Sequence, residues 1–405
     1  MQNYLWTEKT FFRKTGTTNM YSGKQITKAG RNFLSDEIMS DPELFSKTLD
    51  VLSYWRSCHT EPLENALKRL RQTVKGIDKN ALYAKRLKRY PSIQLKLRRF
   101  PEMSLKNMQD VGGCRVIVAN SKKVEQVVRS LRTKPEFKSM GTSVRHKDYI
   151  KTPKLDGYRS YHIIGNFPDN ANRTFRIEVQ IRTKIQHYWA TALEIIDLFT
   201  NQSLKTNQGK KAWSDFFVEI STQYAAMDDI HLFSNLDNTK KLKLYLSRLV
   251  ENKGLASGCL DVVKMSRKLK VIEKLNAFAN SLQIVDQALK DIKVSGYILI
   301  KIDLDEHLLN YEIYEESDSK EAEFKYTQAE KESADKKKSI MVALVYTDHV
   351  NEIKQAYPNF FADSSQFIEL LNIIHDAEEL FKSRAQSKLF LEKILVPANF
   401  QNYIS

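Results

Sequence analysis

The sequence predicts an α+β protein, a mixed sheet with flanking helices followed by a small C-terminal β-β-α-β-α unit. Three observations carry that expectation. Runs rich in β-branched residues, GGCRVIVAN at 112–120 and TFRIEVQIR at 174–182, alternate with stretches whose apolar residues recur at helical spacing. A second set of strand-like runs, GYILIKIDL at 296–304 and SIMVALVYT at 339–347, comes only after a long helical interval. The chain has 405 residues, which is room for two or three domains. The expected organisation is a first domain over 1–230, a helical connector over 231–292 and a C-terminal domain over 293–405.

Taken in order, residues 23–34 and 41–57 read as helices. The second opens on Asp41-Pro42, an N-cap with proline in the first turn. Residues 61–76 form a third helix, with Leu63, Leu67, Leu70 and Val74 on one stripe. The run YAKRLKRYPSIQLKLRRF is extended and basic up to Pro91 and helical after it. A strand over 112–120 and a helix over 121–134 follow. Residues 143–150, 159–167 and 174–182 read as strands, and 184–199 and 209–226 as helices. The stretch 235–292 is helical almost throughout, which suits a connector between lobes. Beyond it come a hairpin (296–304 and 309–315), a charged helix (318–335), a strand (339–347) and two helices (349–357 and 364–381).

Composition narrows the function. No run approaches the about 18 apolar residues of a spanning helix, so a membrane-spanning protein is excluded. The N-terminus MQNYLWTEKTFFRKTG has no apolar h-region, so no secretory signal is expected. Three cysteines (Cys58, Cys114, Cys259) without CxxC spacing give neither a disulfide framework nor structural zinc, and a reducing cytoplasm is the expected compartment. The net charge is +15. Residues 1–200 hold 37 basic and 19 acidic side chains, whereas 301–405 hold 12 and 20. The stretch 51–150 alone has 23 against 8, a footprint for phosphate on a nucleotide or a nucleic acid. The acidic end is either a solvated surface or an internal partner for the basic part.

Four clusters carry the chemistry. Arg86, Lys88, Ser92, Lys96 and Arg99 bring four cations and a helix-capping hydroxyl towards one point, as a triphosphate requires. The same run also fits a solvated basic face. In MQDVGGCR the glycines let the chain turn into a buried strand, leaving Asp110 at its entry and Arg115 pointing off it. A carboxylate there suits Mg²⁺, which takes oxygen ligands and few protein groups; a β-turn aspartate is the plainer reading. The loop with Lys147, Lys154, Gly157, Tyr158 and His162 offers an aromatic face to a base and cations to phosphates, or is an ordinary hairpin with a core tyrosine. In EVQIRT, Glu178, Gln180 and Arg182 share one strand face, with Ile177, Val179 and Ile181 beneath. His187, Thr191 and Glu194 fall on one face of the next helix, as site residues or as a helix-surface network.

These motifs in this order (RLKRYPSIQLKLRR, MQDVGGCRVIV, KDYIKTPKLDGYRSYH and EVQIRT) resemble the RelA/SpoT-type pyrophosphokinase domain of the alarmone synthetases. They cover roughly residues 80–200. With flanking helices the domain would run from about 20 to 230, in a nucleotidyltransferase-like fold. Nothing before residue 80 matches the family's hydrolase domain. GGCR, QHYWATALE and AYPNFFADSSQF further resemble the toxic small alarmone synthetases with a fused antitoxin domain, the CapRel-like phage-defence proteins. Their C-terminal domain is similar to a zinc finger without ligands.

The resemblance implies that Arg86, Lys88, Ser92, Lys96, Arg99 and Arg115 hold the phosphates of ATP. Asp110 and Glu178 would bind Mg²⁺, and Glu178 would assist deprotonation of the acceptor. Tyr158 would stack on the acceptor base, with Lys147, Lys154, His162, Gln180 and Arg182 around it. The implied acceptor is the 3′ CCA end of tRNA, and Lys68, Arg69, Arg71 and Lys75 add basic charge for a polyanion beyond the pocket. The nucleotide alternative, synthesis of (p)ppGpp or (p)ppApp, stays open, as does an inactive sensor that binds RNA or a phage protein. Asp156 stands where guanosine-nucleotide synthetases usually have Asn. The family's inhibitory Tyr-x-x-Tyr pair has two counterparts, Tyr357 with Phe360 (preferred) and Tyr311 with Tyr314. The implied protein is a cytoplasmic monomer restrained in cis until a capsid-type phage protein binds, with docking expected near Phe360, Phe361 and Phe367.

Overall fold

The computed structural model describes residues 20–35, 38, 41–88, 90–138, 145–200, 211–277 and 280; in the C-terminal third it describes 296–303, 306, 308–318, 321–322, 325–326, 329, 340–347 and 358–385. Its contacts divide the chain into two compact units. One comprises 1–151 and 160–182, the other 152–159 and 183–405. This division differs from the expected boundaries at 230 and 292. It groups the helices after residue 183 with the C-terminal region.

The first unit opens with helices α1 (Gly23–Asn32), α2 (Pro42–Ser57) and α3 (Thr60–Val74). The Asp41 carboxylate caps α2 by accepting from the Leu44 amide at 2.9 Å, as the Asp-Pro pair predicts. The sheet consists of β1 (Leu82–Leu87), β2 (Gly112–Val118), β3 (His146–Asp148), β4 (Tyr161–Pro168) and β5 (Thr174–Thr183), in the order β1-β2-β5-β4-β3. α4 (Tyr90–Arg99) lies between β1 and β2 in sequence, and α5 (Ser121–Arg132) follows β2. Of the strand expected over 143–150, the described ladder holds only 146–148.

One sheet face is sealed. Leu63, Leu67, Leu70 and Val74 of α3 pack with Val124, Val127 and Leu131 of α5 onto Cys114, Val116, Ile163, Ile177, Val179 and Ile181. Alternation then sends the neighbouring side chains to the other face. Along β5, Phe175, Ile177, Val179 and Ile181 are buried while Arg176, Glu178 and Gln180 are half-buried. A smaller core joins Ile93 and Leu97 of α4 to α1, α2 and Leu105.

The second unit is a helical core carrying a three-stranded sheet. α6 (Lys184–Thr200), α7 (Lys211–Asp228), α8 (Asn238–Glu251), α9 (Lys253–Leu269) and α10 (Pro358–Ala385) share one apolar cluster. The sheet runs β7-β6-β8, all antiparallel, from β6 (Gly296–Asp303), β7 (Leu308–Glu315) and β8 (Ile340–Thr347). Ile298 and Ile300 face the helices, and Tyr297 and Leu299 pack with Tyr314 on the other side. The connector expected over 231–292 is instead, in its described part, core structure: α8 and α9 bury Tyr245, Leu249, Val262 and Val263. Asn252 breaks the run, ending α8 and capping α9 through the Leu255 amide. The expected helix over 349–357 lies outside the described residues, and most of 318–335 does too. No described helix is long and apolar enough to cross a membrane.

Candidate active site

The second face of the five-stranded sheet, where most side chains are half-buried, gathers polar residues that sequence singles out. Arg86 pairs with Gly113 across the β1–β2 ladder, and Ala84 with Arg115, which puts Arg86 and Arg115 on one side. His162 pairs with Gln180, Ile164 with Glu178 and Lys147 with His162. With Cys114 and Val116 in the same core as Ile177 and Val179, the face opposite that core carries Arg86, Arg115, Glu178, Gln180, His162 and Lys147.

Two carboxylates anchor the face. Asp110, just before β2, accepts from Lys96 Nζ at 2.7 Å through Oδ1 and from Lys88 Nζ at 3.0 Å through Oδ2. Glu178 accepts from Gln180 Nε2 at 2.7 Å and faces His162 Nδ1 at 3.0 Å. Burial alone would raise the Glu178 pKa. The His162 hydrogen bond and charge, the Gln180 amide and the nearby Lys96 charge outweigh it and hold the carboxyl at about 2. Lys96 is therefore common to both acids: it bonds Asp110 and its charge stabilises ionised Glu178. The Tyr149 ring stands edge-on to His162, with centroids 5.1 Å apart, and sequence reasoning gave it no role. It sits in the turn directly after β3.

The family model for the region found in RelA / SpoT proteins matches residues 85–195, which includes both acids and both lysines. GTP pyrophosphokinase YjbM of Bacillus subtilis is 31% identical over 147 residues, 32% of this chain and 67% of that one. The chain belongs to the RelA/SpoT family. GTP pyrophosphokinase YwaC of the same organism is 37% identical over 114 residues, 26% of this chain and 52% of the relative, so the match spans about half of that relative's length. The small alarmone synthetase 1 of Bacillus subtilis, solved with its product pppGpp, aligns over 43% of this chain and 93% of that chain at 24% identity, with a TM-score of 0.36.

Other residues of the RelA/SpoT region fall less simply. α4 begins at Tyr90, so Ser92 sits inside its first turn and is not a cap. Arg99 is exposed, with its guanidinium 5.6 Å from the Phe100 ring. Gly112 and Gly113 make no left-handed turn; the positive-φ glycine among the described residues is Gly157. At Gly112 a Cβ would stand 2.8 Å from Ile177 Cδ1, so the isoleucine end would have to shift to admit one. Arg182 is only 3% exposed, and its Nε and Nη1 find no hydrogen-bond partner among the described residues.

Tyr158 and Lys154 belong to the second unit, where the Tyr158 ring is half-buried with Lys154 Nζ 4.5 Å from its centroid. Gly157 adopts φ +87°, and a Cβ there would meet the Phe217 carbonyl and Val218 Cα at 3.0 Å, so glycine is required. Asp156 accepts from the Tyr158 amide at 2.9 Å, a local turn bond that an asparagine oxygen would make equally. His187 and Thr191 are buried inside the second unit, which rules out a helix-surface network for them.

The α3 cations lie on the sealed side of the sheet. Arg69 is held there by Glu136, its Nε donating at 2.7 Å, and Arg71 rests over the Tyr83 ring. Lys68 and Lys75 are exposed. Tyr357 lies outside the described residues; Phe360 falls in the first turn of α10. Phe367, expected to be exposed for docking, is fully buried. It packs on Phe217 and Tyr224, and the Tyr224 hydroxyl donates to its carbonyl at 2.7 Å.

Proposed function

We propose that the chain is an ATP-dependent pyrophosphokinase, transferring the terminal diphosphate of ATP to a ribose hydroxyl with release of AMP. The observation that carries this reading is that Lys96 and Lys88 bond Asp110 beside Glu178 on a half-buried, cation-rich sheet face. Attack by the acceptor oxygen on the β-phosphorus breaks its bond to the α,β-bridging oxygen; AMP leaves with the electron pair, and the acceptor's hydroxyl proton is taken up by Glu178 or solvent. The protein's contribution is positioning and neutralisation of charge. Lys88, Lys96, Arg86 and Arg115 supply cations for the phosphates. Asp110 and Glu178 offer the oxygen donors Mg²⁺ favours, and substrate phosphates and water would complete its shell. Among the described residues no group of three or more acidic, histidine or cysteine side chains offers a fuller cage. When bound, the cation neutralises charge developing on the transferred group. Hydrogen bonds and the charges of His162 and Lys96 keep Glu178 ionised in the resting site, which suits an anionic ligand and leaves it able to assist deprotonation of the acceptor.

For the acceptor we assign the 3′ CCA end of tRNA, which would stop translation. The surplus of cations outside the site, 23 basic against 8 acidic residues over 51–150, supports a polyanion. A free guanosine nucleotide is the second reading, favoured by relatives that bear the name GTP pyrophosphokinase. An inactive sensor is disfavoured by the intact acid pair. Restraint in cis, relieved by a capsid-type phage protein, is supported by the packing of β6 and α10 into the core that also carries the Tyr158 loop. The test is ATP labelled on its γ-phosphate, incubated with tRNA or with GDP and GTP, with and without phage lysate. Label on tRNA upholds the assignment. Label on nucleotides alone selects the second reading, and no label under any condition overturns both.

A further inference from the structure

The exposed cations of α3 form a stripe. Lys68, Arg71 and Lys75 sit at i, i+3 and i+7, one face of the helix, where like charges destabilise it by mutual repulsion. No carboxylate pairs with Lys68 or Lys75 among the described salt bridges. The stripe borders the free edge of the sheet. Glu64, one turn before Lys68, pairs with Lys85 of β1, and Arg71 lies over Tyr83 of the same strand, 5.6 Å from its centroid. β1 is an outer strand. Its successive side chains point to opposite faces, so Lys85 stands on the α3 side and Arg86 on the polar side, in line with Arg115. Cations thus line the way from α3, over the β1 edge where Lys85 is paired with Glu64, to Arg86 and the face that holds Asp110 and Glu178.

We propose that this α3–β1 flank is the track on which the phosphate backbone of the acceptor RNA lies as its 3′ end enters the polar face. The inference rests on the RNA-acceptor reading and extends it by naming the docking surface. Regularly spaced cations without carboxylates between them match a phosphate backbone. A membrane-surface helix would set large apolar side chains beside its basic ones. Here the α3 residues outside the core are Lys68, Arg69, Arg71, Gln72 and Thr73 over its last two turns. The flank also holds no exposed aromatic residue for stacking, which points to the paired part of an RNA and its phosphates rather than to splayed bases.

The experiment measures binding of fluorescein-labelled tRNA to the full chain by anisotropy. It compares the triple variant Lys68→Gln, Arg71→Gln, Lys75→Gln with a control triple of equal charge change on exposed α8 and α9 positions, Lys243→Gln, Lys264→Gln, Lys268→Gln. The flank triple should bind at least about tenfold more weakly near physiological salt, with the log–log salt slope reduced by about three, while the control shifts by less than about twofold. Binding of a fluorescent ATP analogue should be the same in all three proteins, which shows that the site is folded. The proposal is overturned if both triples weaken tRNA equally, if neither does, if the wild-type chain binds no tRNA, or if phosphatidylserine vesicles bind as tightly as tRNA and are lost with the same triple. If the flank triple alone loses tRNA but labelled diphosphate reaches only free nucleotides, the acceptor reading fails while the RNA-binding flank stands.

Discussion

Lys96 donates to Asp110 at 2.7 Å while Lys88 occupies the other carboxylate oxygen at 3.0 Å, so both Asp110 oxygens are already engaged by ammonium groups. A divalent cation must compete with those lysines for the same oxygens, whereas triphosphate oxygens offer the lysines an alternative partner. Mg²⁺ alone should therefore bind weakly, and a non-hydrolysable ATP analogue should strengthen its binding at least about tenfold, through thermodynamic linkage. Lys96→Met should raise affinity for Tb³⁺ without nucleotide, read by luminescence, and lower diphosphate transfer by about 10²-fold or more, since one charge-stabilising contact is commonly worth that much. Equal Tb³⁺ affinity in both proteins would show that Lys96 does not guard Asp110.

Glu178 is ionised throughout the physiological range because its pKa is held at about 2. Any acid limb of the rate between pH 5 and 8 must then come from another group. Glu178→Gln should remove about 10²-fold or more of the rate while leaving the position of that limb unchanged in whatever activity remains. A limb that moves on this substitution would place the titrating proton on Glu178.

His59 offers a pH test of stability away from the reaction. Its ring is buried, with Nδ1 2.7 Å from the Trp55 carbonyl, and burial lowers its pKa from 6.5 to about 4 against the opposing backbone bond. Between those values the unfolded chain binds a proton that the folded chain does not. Stability from this group is thus full above pH 6.5 and declines as pH falls towards 4, by on the order of 3 kcal/mol. His59→Gln should flatten denaturation midpoints across pH 6.5 to 4. An unchanged slope would mean that another group sets it.

The polar face was legible in sequence because period-two alternation places Glu178, Gln180 and the buried Ile177, Val179 and Ile181 without reference to anything distant. The α3 stripe was legible for the same reason, at period 3.6. What sequence could not show was the contact between elements. Lys96 and Asp110 are fourteen residues apart, and only the folded β1–α4–β2 segment makes Lys96 the link between two acids. Phe367 reads as exposed beside two other aromatic residues, yet a 28-residue helix buries it, because its contacts come from Phe217 and Tyr224 about 150 residues earlier. The helical interval 235–292 looked like a spacer because both core helices and linkers can carry apolar repeats. Burial of Tyr245 and Val262 decides for the core in its described part.

Arg182 carries two guanidinium donors with no partner among the described residues at 3% exposure. Leaving such groups unmade in the folded state costs about 1–3 kcal/mol each. If an anionic substrate group meets them, Arg182→Met should stabilise the free protein while raising the acceptor KM about tenfold or more. Thermal denaturation and steady-state kinetics measure the two effects. A variant less stable than the wild type, with unchanged KM, would assign the arginine to structure.

Phe367 closes an aromatic series within the second unit. Tyr158 stands 6.4 Å from Trp189, Trp189 5.7 Å from Phe217, and Phe217 6.3 Å from Phe367, centroid to centroid. Trp189 is fixed by its own bond to the Phe217 carbonyl at 2.9 Å. Restraint in cis can therefore reach Tyr158 through packed rings of the unit that contains α10. Truncation near residue 235 is a poor test of restraint, because it strips Ile298, Ile300, Leu371 and Ile374 from the same core and exposes α6 and α7. Phe367→Ala is the sharper change. Removing a fully buried phenyl ring should cost about 3–5 kcal/mol of stability. If α10 restrains the Tyr158 loop, the same substitution should raise basal diphosphate transfer several-fold at a temperature where the variant remains folded. Adding Tyr158→Ala should cancel that gain. Destabilisation with no rise in transfer would leave α10 as core structure without a regulatory part.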